Sequence, residues 1–351
     1  MEKLLTYNVR HLRKCKQLLA LFYLPKYNMS HMDKKTTYDK YDAGQTFLYA
    51  LFMPFLVAIA YMFIVYIIAS LAGQTMDNVT SNTIYLIFAT LLSPLAFLLI
   101  FFLVNKTSRV DYKTALNFKA KLNWKYLVVT LVLSLICVFG MSNFVNLFDV
   151  VLSLMGFNGS YSLPIPLDNF GYLVLNLILL AVLPAICEEL IFRGIIFNGL
   201  KQYGDKKAVF LSALLFMLVH SSVEQTIYPF FVGIVLALLY LRTGSIIYPI
   251  ILHFTNNAIV VVMNYIYTQN GTNLGFELST FNILFSIALM ILTILCIAIT
   301  FNIILKKRNK DNISKEKQTN SYEQSPNTLL YIGIIAACVI WIFDLISGFV
   351  A

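Results

Sequence analysis

"YLVLNLILLAVLPAICEELIFRGIIFNGL" (Tyr172–Leu200) is long and apolar enough to cross a bilayer, yet it carries Glu188, Glu189 and Arg193 in its interior. A hydrocarbon core about 30 Å thick calls for about 20 apolar residues in a helix. A charge at its centre costs about 2.5–3.5 kcal/mol on insertion scales, so such a residue marks a functional site by default. On a helix, residues four apart share a face. Glu189 therefore sits over Arg193 in the favourable Glu-before-Arg order, while Glu188 is rotated by about 100°. The spacing predicts a buried structural pair, Glu189 with Arg193, and a free carboxylate, Glu188, that points into a cavity and is suited to general-base work.

Similar apolar runs recur along the chain. Its 351 residues are 59% hydrophobic and only 12% charged, which excludes an ordinary soluble protein. Spans read near Phe47–Leu71, Thr83–Val104, Tyr126–Met155, Tyr172–Leu200, Lys207–Ser221, Tyr228–Leu241, Ile246–Tyr267, Phe281–Leu305 and Leu329–Val350. The expected fold is all-α, a polytopic integral membrane helical bundle of about nine transmembrane helices. The number is eight to nine because the fifth and sixth are short enough to form a re-entrant hairpin, which is tolerated only where protein or a wet cavity surrounds it.

Orientation follows from the cations, which mark the cytoplasmic side of short loops. All 26 Lys and Arg fall before the first span, between the second and third, around Arg193 to Lys207, at Arg242, or between Lys306 and Lys317. This places the N-terminus in the cytoplasm and leaves no Lys or Arg for the opposite face. The formal charge of +9 is thus a topology signal, and nucleic acid is not an expected partner. The start lacks the apolar core and cleavage site of a signal peptide. Together these features suit a multi-pass protein of a bacterial plasma membrane.

The organisation reads as a basic cytoplasmic tail (1–45), three N-terminal spans (46–170), a core carrying the charged motifs (171–268), a further span (279–305), a charged linker (306–327) and a final span (328–351). The five cysteines are scattered without a C-x-x-C pair, so neither a disulfide framework nor a thiolate metal site is expected.

Of four histidines, His11 and His31 fall in the tail, while His220 closes "FMLVH" and His253 opens "HFTNN", with Asn257 one turn later. At 1.5 Å per residue, Glu188 lies roughly 20 Å from Lys201, His220 roughly 20 Å from Lys207, and His253 roughly 16 Å from Arg242. Three helices thus bring Glu, His and His to similar depth. A lone intramembrane His reads as a packing residue, and Phe216 reads as packing too. Four polar residues at one depth read as a site. Cys187 is set aside as a nucleophile because helix neighbours point apart. Asn143, Asn146, Asp149 and Asp344, toward outer helix ends, are explained by interfacial hydrogen bonding.

At these residues the sequence resembles the CPBP family, the CAAX proteases and bacteriocin-processing intramembrane proteases. The family pattern of E-E-x-x-x-R, F-x-x-x-H and H-x-x-x-N/D on consecutive helices reads here as "EELIFR" (Glu188, Glu189, Arg193), "FMLVH" (Phe216, His220) and "HFTNN" (His253, Asn257). No motif position departs from it, and the match covers roughly Tyr172–Tyr267. The resemblance implies a catalytic core over 171–268 and an endopeptidase that hydrolyses a peptide bond near the cytoplasmic face or within the bilayer. Glu188 would activate a water held with His220, His253 and Asn257 would donate to the oxyanion, and Glu189 with Arg193 would lock the helix. No cofactor is required on this reading. A zinc version would use Glu188, His220 and His253, although H-E-x-x-H is absent.

The implied substrate is a membrane peptide or lipidated protein reached from the lipid bilayer. Two other functions remain open at this stage. One is a non-catalytic membrane partner, such as a bacteriocin self-immunity factor or a scaffold for a sensor kinase. The other is a proton-coupled transporter, which the absence of an internal repeat disfavours.

Overall fold

The structure, a computed structural model, describes residues 36–116, 122–159, 163–271, 279–304 and 327–350. Most of the basic tail and of the charged linker lies outside the described residues. Nine principal helices follow in order: α1 Lys40–Leu71, α2 Thr83–Ser108, α3 Trp124–Leu154, α4 Phe170–Tyr203, α5 Asp205–Val219, α6 Ile227–Thr243, α7 Ile247–Asn270, α8 Thr280–Asn302 and α9 Thr328–Val350. Seven of them are long and apolar enough to cross a membrane. The chain is a multi-pass, all-α membrane protein, with no strand among the described residues.

The remaining two, α5 and α6, have 15 and 17 residues. Both fall short of the roughly 20 that a bilayer demands, and they pack on each other as a hairpin. The helix α1 begins seven residues before its apolar run at Phe47, because Asp39 caps it. Its side chain accepts from the Tyr41 and Asp42 amides, and the Asp42 carboxylate accepts from the Asp39 amide in return. Such a capping box satisfies end amides that would otherwise be orphaned, and so it extends the helix into polar sequence. Just before it, Tyr38 donates to Asn105 Oδ1 (2.7 Å), and burial pushes its phenol well above the usual range.

The lower half of α4 forms the centre of the bundle. Its residues Ile191, Phe192, Ile195, Ile196 and Phe197 are fully buried. They are enclosed by α1, α2, α5 and α6, which explains why these five side chains are all apolar although they lie on several faces of the helix. In contrast, α1 turns Phe55, Leu56, Ile59 and Phe63 outward, more than half exposed, as a lipid-facing surface requires. The helices α7 and α8 flank α3, and α9 returns to α1. Two close approaches depend on glycine: a Cβ at Gly140 of α3 would overlap Thr293 of α8, and one at Gly199 of α4 would overlap the Asp39 carbonyl.

Candidate active site

Pro184 shapes the helix that carries the acidic doublet. Its ring lacks an N–H and obstructs the carbonyl four residues back, that of Leu180. Around it α4 opens into π-helical (i→i+5) turns at Leu177–Val182 and Leu190–Phe197, which bracket a regular segment, Leu183–Glu189. Asn257 Nδ2 of α7 donates to the Leu180 carbonyl (3.0 Å), and Asn198 Nδ2 donates to the Gly194 carbonyl (2.8 Å) below. Wide turns of this kind are rare and frequent at functional sites, since they re-aim side chains within a helix.

The predicted pair is present. Arg193 Nη1 donates to Glu189 Oε1 at 2.8 Å, with both side chains fully buried. Arg193 Nη2 also donates to the Gly233 carbonyl (3.0 Å), and the guanidinium lies 4.6 Å from the centre of the Phe216 ring. Glu189 does more than the spacing foretold. The same Oε1 holds His253 Nδ1 at 2.9 Å, so one carboxylate ties α4 to α7. Phe216 packs edge-on against Phe192, His220 and His253 as well as under Arg193, which makes it the apolar hub of the cluster.

Glu188 points elsewhere. Its Oε2 is buried, makes no hydrogen bond among the described residues, and stands 3.9 Å from His253 Nε2. That separation is too long for a hydrogen bond. His220 Nδ1 lies 2.7 Å from the Phe216 carbonyl. A carbonyl only accepts, so Nδ1 carries the proton and the neutral ring presents a bare Nε2. All four sequence candidates, Glu188, His220, His253 and Asn257, line one cavity of about 550 Å³.

Several lining residues were not read as site residues. Asn146 and Asp149, assigned above to interfacial bonding, line the same cavity, as do Tyr228 and Asn256. Asn256 is almost fully buried and donates through Nδ2 to the Tyr228 hydroxyl (3.2 Å), while Ser134 Oγ donates to its Oδ1. The only sequence signal for Asn256 is its place beside Asn257 in "HFTNN". Glu224, in the loop between α5 and α6, also lines the cavity. Burial, with Asp149 and Asp344 nearby, pushes its carboxyl above the usual range. Asp344 accepts from the Val223 amide (2.9 Å), which ties that loop to α9. Among the described residues, no group of three or more His, Cys, Asp or Glu side chains is placed to hold a metal ion.

Comparison with known proteins bears on this segment. Residues 170–259 match the model of the family described as type II CAAX prenyl endopeptidase Rce1-like. The chain is also 34% identical over 98 residues to "Putative membrane peptidase YdiL" of Bacillus subtilis (strain 168). That alignment covers 28% of this chain and 40% of the relative's length. No solved structure matches. The two matches support the resemblance to the CPBP proteases that the three motifs carry.

Proposed function

Taking residues 170–259 as a core of the CAAX-endopeptidase kind, we propose that the protein is an intramembrane endopeptidase that hydrolyses a peptide bond of a membrane peptide or lipidated protein. The observation that carries this reading is the convergence of Glu188, His220, His253 and Asn257, from three helices, on one cavity in which Glu188 Oε2 has no hydrogen-bond partner among the described residues. A buried carboxylate oxygen left unpaired in a polar cavity calls for an explanation, and a reacting water supplies one.

In this mechanism Glu188 takes a proton from a water whose other hydrogen is accepted by the bare Nε2 of His220. The resulting hydroxide attacks the scissile carbonyl, and the carbonyl oxygen becomes an oxyanion. The proton held by Glu188 passes to the amide nitrogen as the C–N bond breaks, which releases a carboxylic acid and an amine. Glu189 holds the His253 ring in place and is itself held by Arg193. No metal is needed for these steps. The alternative would need Glu188, His220 and His253 to hold a zinc ion, and among the described residues no three such side chains are placed to do so.

The deciding test uses detergent-purified protein and a pool of membrane peptides. Cleavage is expected to persist after exhaustive chelation. Complete loss restored by zinc would replace the glutamic mechanism with the metal one, and no cleavage under any condition would reject the protease reading.

The cavity also suggests a side of entry. Its lining comes from the later half of α3 (Asn146, Asp149), the earlier half of α4 (Leu180, Pro184), the α5–α6 loop (Gln225) and the later half of α7 (Val260). Each of these lies toward the end of its helix away from Lys125, Lys201, Lys207 and Arg242. On the positive-inside rule the substrate would enter from the extracytoplasmic half, which departs from the cytoplasmic-face cleavage that the resemblance allows and keeps its alternative of cleavage within the bilayer. In a background without the native cysteines, Gln225→Cys is expected to react with an impermeant maleimide added outside intact cells. Gln202→Cys should react only after lysis, and the reverse pattern would refute this orientation.

A further inference from the structure

We infer that the Tyr228 hydroxyl is a further donor to the oxyanion in the proposed hydrolysis, beside the Asn257 amide, which keeps one N–H free of the Leu180 carbonyl. The inference rests on the protease reading above and concerns a residue outside the three motifs.

A carbonyl under attack needs N–H or O–H groups aimed at its developing negative charge, and in a water-poor site each is worth a large factor in rate. The cavity is short of such groups. His220 spends its Nδ1 proton on the Phe216 carbonyl (2.7 Å) and, when neutral, offers only a lone pair at Nε2. His253 directs Nδ1 at Glu189 Oε1 (2.9 Å), so its neutral form likewise offers only a lone pair. Asn257 has committed one of its two N–H groups to the Leu180 carbonyl that Pro184 displaces (3.0 Å). Acceptors are plentiful and donors are not.

Tyr228 is placed at the start of α6 and lines the cavity together with Glu188, His220 and His253. Its oxygen already accepts from Asn256 Nδ2 at 3.2 Å. Ser134 Oγ holds the other end of that amide, at Oδ1, and so fixes which way it faces. A phenol that receives a hydrogen bond becomes a better donor. Its own O–H has no acceptor among the described residues. Three helices thus form a relay, Ser134 on α3 to Asn256 on α7 to Tyr228 on α6, that ends on one uncommitted proton of a residue lining the cavity. A purely structural tyrosine would be expected to close that chain on a carbonyl, as Tyr38 does on Asn105.

The test measures steady-state cleavage and thermal melting of purified Y228F beside Glu188→Gln. Y228F is expected to lower kcat by about 10²- to 10³-fold, with KM changed less than about threefold and an unaltered melt. A Y228F protein that melts like the wild type and turns over within about threefold of it overturns the assignment. Should Y228F fail to fold, 3-fluorotyrosine at position 228 keeps the packing and makes the phenol more acidic. A change in kcat at constant KM then supports the proposal, and an unchanged kcat overturns it. The parallel variant separates the two claims. An inactive Glu188→Gln with a fully active Y228F removes only the role of Tyr228. Wild-type rates in Glu188→Gln, or no cleavage by the wild type, remove the protease reading and this inference with it.

Discussion

Glu188→Gln is expected to stop peptide hydrolysis, with a loss of at least about 10³-fold, while the protein folds and melts as the wild type does or slightly better. The two halves of that expectation have one cause. General-base catalysis by a positioned carboxylate contributes about 10²–10⁴-fold, and the carboxamide keeps the shape while removing the proton acceptor. Glu188 Oε2 is also buried without a hydrogen bond, 3.9 Å from His253 Nε2, so the exchange breaks no hydrogen bond at that oxygen and removes a buried charge. Cleavage rate and melting temperature of the two purified proteins decide the matter. Hydrolysis at the wild-type rate would leave the unpaired carboxylate without a role and would favour a binding function instead.

Arg193→Met is expected to be the most damaging single substitution to stability, at about 3–5 kcal/mol, because it strands a fully buried Glu189. The guanidinium also satisfies the Gly233 carbonyl and lies over Phe216, and these contacts bind α4 to α5 and α6. Activity should fall as well, since Glu189 Oε1 would be left with His253 alone. The double substitution Glu189→Gln with Arg193→Met removes both charges and is expected to be less destabilised than Arg193→Met alone. Non-additivity of that sign is the mark of a coupled pair. Resistance to unfolding by added SDS reports the order. Equal stabilities for Arg193→Met and the wild type would show that the pair does not hold the bundle.

Much of the arrangement was legible because membrane sequences expose their charges to view. The Glu189–Arg193 contact followed from helical spacing, and the common depth of Glu188, His220 and His253 followed from counting residues from the nearest cations. The shortness of α5 and α6 was legible too, although it left open whether they cross the bilayer or form a re-entrant hairpin. What remained hidden depended on side-chain direction across different helices. Nothing in the sequence near Glu189 announces that it also holds His253, sixty-four positions away. The role of Pro184 was equally silent, because displacing the Leu180 carbonyl matters only once Asn257 is found to catch it. Tyr228 and Asn256 looked like one more aromatic and one more amide in segments rich in both. The early start of α1 was missed because the apolar run marks where lipid begins, while Asp39 marks where the helix does.

The two wide turns on either side of the acidic doublet carry one last implication. Each accommodates an extra residue without breaking the helix, so the direction in which Glu188 faces is fixed by a headcount as well as by chemistry. Dropping one codon from either turn would swing that carboxylate through about 100° toward a different neighbour. A change in the length of either turn therefore re-aims the carboxylate in a way that no substitution within it does.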